Sequence, residues 1–180
     1  LESLAVSFGL ANEMIRIIGI DPGSRFTGYG VLEGEGSRLR HVDNGVIPLS
    51  GRLLLPERLK IIYRELSLII EGAQPSCMAI EDVFLAKNAK SALKLGQARG
   101  AAILAGVNAD LPVFEYSALQ IKQAVVGYGR ADKDQVMDMI RHLFRLRSPL
   151  NPNAADALAV ALCHLNTVAS TSRWKESARP

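Results

Sequence analysis

Short apolar runs alternate along this chain with longer segments of helical periodicity, and this alternation is the strongest constraint on its fold. The β-branched run at residues 15–20 ends on Asp21 before a Pro-Gly turn, the run at 77–81 ends on an acid, and a third run occupies 112–116. Runs of this length bounded by turn residues are typical of buried strands. Strands that alternate with helices predict an α/β fold with a mixed sheet and helices on both faces.

The segments around these runs supply the other predicted elements. Residues 26–33 and 39–49 contain many strand-forming residues and flank a glycine-rich stretch, so with the first run they predict a three-stranded antiparallel meander. Asp132 and Gln135 have the spacing of a capping box at a helix start. Apolar residues at steps of three or four predict four helices, at 56–71, 89–108, from Asp132 to about 145, and from about Asn153.

Length and composition predict one globular domain. The chain has 180 residues, of which 48% are hydrophobic, and its apolar stretches are shorter than the ~20 residues of a membrane span. We assign the domain to residues 14–168, with 1–13 as an N-terminal extension, disordered or added before the first methionine, and 169–180 as a flexible tail. Cys77 and Cys163 lie in apolar runs, which favours buried thiols in a reducing compartment, the cytoplasm.

Basic residues are concentrated in two stretches that contain no acid. Patches of this kind favour a polyanionic partner such as nucleic acid, although solvated helix faces are the ordinary alternative. The lysines of the first stretch would form one stripe at the start of the second helix, a candidate phosphate contact. The first stretch holds Lys87, Lys90, Lys94 and Arg99, and the second holds Arg141, Arg145 and Arg147.

Three acids define a candidate reactive site. Asp21 and Glu81 end two predicted strands, and the carboxyl ends of parallel strands meet at one edge of a sheet. If those strands are parallel neighbours, a terminal helix that crosses the edge adds Asp156. Such a cluster favours Mg²⁺ or Mn²⁺, and two ions about 4 Å apart promote phosphodiester hydrolysis. Each acid alone also has an ordinary explanation, as a turn residue, a solvated strand end or a first-turn helix residue.

The sequence resembles a known family in four stretches, namely GIDPGSRFTGYGV at 19–31, AIEDVFLAKNAKSALKLGQARGAA at 79–102, PVFEYSALQIKQAVVGYGRADKDQV at 112–136 and NPNAADALAVALCH at 151–164. In this order and spacing they resemble the bacterial RuvC family, the crossover junction endodeoxyribonucleases that resolve Holliday junctions. The resemblance implies an RNase H-like fold with a five-stranded sheet of order 3-2-1-4-5. It also implies a homodimer that makes paired, metal-dependent nicks in two strands of like polarity in a four-way DNA junction, in recombination and repair. A partnership with the RuvA–RuvB branch-migration complex in the bacterial cytoplasm is implied as well.

The resemblance further implies roles for individual residues. Asp21, Glu81 and Asp156 match acids that hold two Mg²⁺ ions, for which Mn²⁺ can substitute. Phe84 matches an aromatic residue that inserts among bases near the crossover, although a phenylalanine is more often a core residue. Lys133 matches a basic residue near the scissile phosphate, although it could equally pair with its acidic neighbours. The full predicted DNA-binding set is Phe84, Lys87, Lys90, Lys94, Arg99, Lys122 and Lys133.

Asn153 departs from the family pattern, which usually has an acid three residues before Asp156. Residues at this spacing share one helix face, and an asparagine there offers a neutral oxygen without charge. We expect weaker metal binding and cleavage, so a protein that binds junctions but cleaves them poorly is one alternative. Asn153 could also be a plain helix cap. A related RNase H-like nuclease that acts on RNA is the other alternative.

The helix predicted at 89–108 is unusually rich in small residues. Its glycines would allow another backbone to approach closely, so we expect this helix to be the subunit interface of a dimer. Packing of the helix on the sheet of its own subunit is the ordinary alternative. The repeating positions are Leu93, Gly96, Gly100, Ile103 and Val107.

Overall fold

The computed structural model describes residues 14–35, 38–82, 89–146 and 149–177, without the side chains of 171–177. The chain order of its elements is three strands, a helix, a strand, a helix, a strand and three helices. The bounds are β1 Ile15–Asp21, β2 Phe26–Glu35, β3 Arg38–Pro48, α1 Leu55–Ala73, β4 Cys77–Glu81, α2 Ala89–Val107, β5 Val113–Tyr116, α3 Ala118–Val126, α4 Lys133–Leu143 and α5 Pro152–Ser177.

The five strands form one mixed sheet with the order β3-β2-β1-β4-β5. β1, β2 and β3 pair as an antiparallel meander, whereas β4 pairs in parallel with both β1 and β5. The predicted α/β fold and its strand order 3-2-1-4-5 are therefore confirmed. The parallel neighbours β1 and β4 bring their carboxyl ends to one edge of the sheet.

Strand alternation divides the buried side chains into two layers. Ile20 and Ile80 pack in a core with α1 and α2, whereas Ile17 and Cys77 on the same two strands pack in a core with α3, α4 and α5. Successive side chains of a strand point to opposite faces, so each strand contributes to both layers. Helices therefore cover both faces of the sheet, as predicted.

The last helix begins earlier and ends later than predicted. Pro152 occupies its first position, which suits a residue that lacks an N–H, and Asn151 caps it by accepting the N–H of Asn153 at 2.9 Å. The prediction that Asn153 caps the helix is therefore wrong. The helix continues to Ser177, through most of the predicted tail, because polarity marks exposure and no glycine or proline interrupts residues 169–177.

The prediction omitted α3. This nine-residue helix lies between β5 and α4 and packs Ile121 and Val125 into the core beside α5. Its start is marked by a capping box in which the backbone N–H of Gln120 donates to Ser117 Oγ at 3.3 Å and the Gln120 side chain accepts the Ser117 N–H at 2.9 Å. The same spacing was recognised at Asp132 and Gln135, so the sequence did contain the signal.

Candidate active site

Asp21 and Glu81 lie side by side on one face of the sheet. Ile20 of β1 is the register partner of Ile80 of β4, so the next residue of each strand occupies the same level. Because Ile20 and Ile80 point toward α1 and α2, alternation directs the two carboxylates to the opposite face, which α5 covers. The predicted juxtaposition of the two acids is therefore present in the structure.

Two glycines determine how closely α5 approaches these strands. A β-carbon on Gly19 of β1 would lie 2.1 Å from the carbonyl oxygen of Ala157, and one on Gly28 of β2 would lie 2.0 Å from the carbonyl oxygen of Asn153. Contacts this short leave no space for any side chain, so the helix backbone lies directly on the strands. Gly28 is also the register partner of Asp21. The first turns of α5, and with them Asp156, are thereby held next to the strand acids.

The electrostatics of the cluster reflect this convergence. Burial raises the pKa of Asp21 from 3.8 to about 7, and the carboxylates of Asp156 and Glu81 raise it further while Lys133 opposes them. Burial and the charge of Asp156 also raise the pKa of Glu81, against Lys133 and Lys122. Carboxylates that are buried together repel each other, and nearby cations relieve the repulsion. The cluster is thus an environment in which added positive charge is favourable.

Two lysines supply part of this charge. Lys133, the first residue of α4, donates from Nζ to Oδ2 of Asp156 at 2.9 Å, and this hydrogen bond raises the pKa of the lysine. Its side chain remains 81% exposed, so it can also reach a ligand in solvent. A cleft of about 190 Å³ opens beside this pair, between α3, α4, α5 and the end of β4, and is lined by Glu81, Ala118, Ile121, Lys122, Lys133, Val136 and Asp156.

The residues of the cluster have the donor chemistry of a hard divalent cation. Asp21, Glu81 and Asp156 offer carboxylate oxygens, the ligands that Mg²⁺ and Mn²⁺ prefer, and the raised pKa of Asp21 shows that negative charge is under-compensated there. Within the described ranges, no three His, Cys, Asp or Glu side chains already form an ion-binding group. These three acids could hold a cation once their side chains close around it.

Arg99 has a different environment from the two lysines. It lies on α2, on the other face of the sheet, and its Nη2 forms ion pairs with Glu115 of β5 and, at 3.8 Å, with Asp82. Asp82 follows Glu81 directly, and alternation explains why the two side chains diverge. The structure thus separates Arg99 from the cleft that holds Lys122 and Lys133.

Comparison with known proteins agrees with this geometry. The family model of the crossover junction endodeoxyribonuclease RuvC matches residues 17–164, which include all three acids. The chain belongs to the RuvC family. A crossover junction endodeoxyribonuclease RuvC of Geobacter sulfurreducens is 57% identical over 158 residues, which are 88% of this chain and 96% of the relative. The RuvC of Syntrophotalea carbinolica is 58% identical over 150 residues, 83% of this chain and 93% of the relative.

Solved structures of RuvC proteins have the same fold. Thermus thermophilus RuvC in complex with a Holliday junction substrate superposes with a TM-score of 0.82 at 32% identity, covering 87% of this chain and 96% of that one. The yeast mitochondrial Holliday junction resolvase Ydc2 superposes with a TM-score of 0.69 at 12% identity, covering 92% of this chain and 83% of that one, which shows a shared fold only. Among the helices that the structure describes, none is long and apolar enough to span a membrane.

The RuvC-like site has Asn153 in its first helical turn, above Gly28. Asn153 Nδ2 donates to Asn151 Oδ1 at 3.3 Å, the same oxygen that accepts the Asn153 backbone N–H. Since Asn151 Oδ1 is an acceptor, the NH₂ group of Asn153 must face it, and Asn153 Oδ1 must point elsewhere. The amide oxygen is therefore left available as a neutral ligand.

The remaining predicted DNA-binding residues of this RuvC-family chain are dispersed. Lys90 and Lys94 lie one turn apart near the start of α2, with Lys90 exposed and Lys94 half-buried. α2 follows β4 and returns toward the start of β5, so its first turns lie at the same edge of the sheet as the acids. Phe84 and Lys87 lie outside the described residues.

Residues that sequence reasoning missed contribute to the site. Gly19 and Gly28 hold α5 in place, but a glycine in a strand does not reveal which element will pack on it. Ile121 and Val136 form apolar parts of the cleft, and Ile121 belongs to α3, the helix that the prediction omitted. The Ser117 and Gln120 capping box could have located α3 and, with it, one side of the cleft.

Proposed function

We propose that this chain is a Holliday junction resolvase that cleaves four-way DNA junctions by paired, divalent-cation-dependent nicks in two strands of like polarity, in recombination and repair. The observation that carries the proposal is the convergence of Asp21, Glu81 and Asp156 beside a cleft that also contains Lys122 and Lys133. This arrangement combines acids for cations with ammonium groups for a phosphodiester. Membership of the RuvC family supports the choice of a branched DNA substrate.

The side chains have separable roles in this proposal. Asp21, Glu81 and Asp156, with the amide oxygen of Asn153, would hold two Mg²⁺ ions, or Mn²⁺ in their place. Bound ions would activate the attacking water and stabilise the leaving oxygen. Lys133 would exchange its contact with Asp156 for the incoming phosphate.

Lys122 shares the cleft with Lys133. It would add a second ammonium group near the phosphate, and each such contact also makes binding salt-dependent. Lys90 and Lys94 would contact DNA further along the same edge of the sheet.

The proposed enzyme is a homodimer, since a two-fold axis presents identical sites to equivalent strands of a junction. The outer face of α2 supports this assembly. Ala98, Ala102 and Ala105 take the sheet-facing positions of α2, and an added β-carbon on Gly96 or Gly100 would meet nothing within 4 Å. The glycine face therefore does not serve packing within the subunit. Its apolar side chains are Leu93, Leu104 and Val107, which are 70%, 51% and 52% exposed.

A labelled synthetic four-way junction tests the proposed function. With Mg²⁺ we expect paired nicks at symmetric positions, no products in EDTA, and little cleavage of a linear duplex of the same sequence. Preferential cleavage of the linear duplex, or of an RNA of equal length, would contradict the proposal and favour a related RNase H-like nuclease. Mixing the junction with RuvA and RuvB tests the association that the family resemblance implies.

Asn153→Asp tests whether this chain is a weakened resolvase. A carboxylate adds the missing charge, so we expect cleavage to reach half its maximum at a Mg²⁺ concentration about tenfold lower, with junction binding in EDTA nearly unchanged. Asn166→Asp, on an exposed position of α5 away from the acids, adds the same charge as a matched control. If both variants cleave as the parent chain does, the asparagine does not limit the site. Junction binding without cleavage in the parent, together with cleavage by Asn153→Asp, would identify a binding-competent but cleavage-deficient protein.

A further inference from the structure

Asp82 is the acid next to Glu81, and it faces the other side of the sheet. Its backbone N–H donates to the carbonyl oxygen of Tyr116 at 2.8 Å, so the pairing of β4 with β5 continues one residue beyond Glu81. Alternation then places the Asp82 carboxylate on the α2 face, where it lies 3.8 Å from Nη2 of Arg99. Asp82 is thus a fourth acid at the edge of the sheet, separated from the cluster only by its direction.

Arg99 connects three elements at this edge. Its Nη2 also pairs with Glu115 of β5, the register partner of Ile80. The arginine side chain is 19% exposed, whereas Asp82 and Glu115 are 45% and 53% exposed. Arg99 Nε is buried and has no hydrogen-bond partner. A guanidinium withdrawn from water between two carboxylates is a fixed contact, and reaching a DNA phosphate would require breaking both ion pairs.

We propose that Arg99 is a positioning residue for the acidic site, and that it acts by holding Asp82 and Glu115 on the α2 face of the sheet. The charge of Asp82 would otherwise be uncompensated one residue from Glu81. Repulsion between neighbouring carboxylates would then turn the strand end and displace Glu81 from Asp21. This role rests on the proposed nuclease function, and it differs from the direct DNA contact that the sequence predicted for Arg99.

Arg99→Met tests the two roles against each other, because methionine keeps an apolar stem and removes the charge. We expect kcat for junction cleavage to fall by about three- to tenfold, while KM and the junction Kd in EDTA stay within about twofold. A DNA contact predicts the reverse pattern. In that case Kd would rise, the slope of log K against log salt would become shallower by about one, and kcat would be unchanged. That result would overturn the positioning role.

A rescue experiment separates positioning from general destabilisation. Asp82→Asn in the Arg99→Met background removes the uncompensated charge next to Glu81, and we expect it to return kcat to within about twofold of the parent. Glu115→Gln in the same background is the matched control, since it removes a charge of the same arginine that is not adjacent to a site acid. Equal rescue by both variants, or by neither, would contradict the proposal.

A thermal double-mutant cycle on Arg99 and Asp82 in EDTA does not depend on cleavage. We expect the loss in melting temperature of the double variant to be smaller than the sum of the two single losses, because the partners share one contact. Additive losses would overturn the ion-pair role even if the chain cleaves junctions. If the parent chain fails to cleave junctions while the cycle shows coupling, the proposed function fails and the contact stands.

Discussion

Two buried acids at opposite ends of the same sheet have opposite electrostatic environments. Glu33 of β2 lies between its cross-strand neighbours Arg16 of β1 and Arg40 of β3. It accepts from Arg16 Nε at 2.7 Å and from Arg40 Nε at 2.8 Å, and these hydrogen bonds lower its pKa. Asp21 is surrounded mainly by other acids, and burial together with their charge raises its pKa to about 7.

The difference between these acids separates structure from function. The Glu33 carboxylate is 8% exposed, and two guanidinium groups compensate its charge, so its ionised form contributes to stability. The ionised form of Asp21 is destabilising in the folded chain unless a cation joins it. Strain of this kind at a site, with full compensation elsewhere, is a pattern expected of catalytic groups.

The largest expected effect comes from Asp21→Asn. We expect this substitution to lower junction cleavage by about a thousandfold or more, because it removes a charged cation ligand. In EDTA at pH 8 it should raise the free energy of unfolding by about 2–4 kcal/mol, because burial of a repelled charge is avoided. Cleavage assays and chemical unfolding measure the two effects. A variant that is inactive and also less stable would contradict the contrast with Glu33.

Gly19→Ala tests whether the contact of α5 with β1 creates the environment of Asp21. The added methyl group must displace the helix backbone, so we expect a loss of about 2–4 kcal/mol in stability and a severe loss of cleavage. Gly72→Ala in the last turn of α1 is the matched control, since its β-carbon would meet nothing within 4 Å. That control should be neutral or slightly stabilising, by up to about 1 kcal/mol. Equal effects of the two substitutions would show that close packing at Gly19 is unimportant.

Glu33→Gln tests the compensated end of the sheet. The glutamine leaves two arginines near a buried position without their charge partner, so we expect a loss of about 2–3 kcal/mol in the free energy of unfolding. Cleavage at a temperature where the variant is folded should be unchanged. Glu65→Gln, which removes a surface pair with Arg64, should cost less than about 1 kcal/mol. A Glu33→Gln variant as stable as the parent would mean that the two arginines contribute little.

The smallest expected effect is a pair of opposing pH dependences. Burial lowers the pKa of His164 from 6.5 to about 4, so its contribution to stability is lost as pH falls from 6.5 toward 4. The pKa of Asp21 is raised from 3.8 to about 7, so stability falls as pH rises through that window. In EDTA, Asp21→Asn should therefore gain on the order of 2 kcal/mol between pH 4.5 and 6.5. His164→Gln should show the opposite slope, and parallel curves would contradict both assignments.

The fold could be predicted because its signals are local. Short β-branched runs ending on Asp21 and Glu81 gave the strands, and apolar periodicity gave α1, α2 and α4. The helix α3 was missed although Ser117 and Gln120 carried a capping signal. The end of α5 was placed too early because loss of apolar residues was taken as loss of helix.

The site could be predicted only in part, because its remaining determinants depend on tertiary contacts. The three acids followed from strand ends and from the family resemblance. The ion pairs of Arg99 could not be derived, since Asp82 and Glu115 are distant from it in sequence and meet it only when β4, β5 and α2 are assembled. The glycine contacts with α5 depend in the same way on the assembled fold.

The glycine contact beneath α5 also bears on how the site can change during evolution. Gly28 meets the carbonyl oxygen of Asn153, an atom that every amino acid carries, so the placement of this turn is independent of the side chain at position 153. A single substitution can therefore exchange an amide for a carboxylate there, or reverse the exchange, without moving Asp156. The chemical strength of the site is adjustable while its architecture is inherited unchanged.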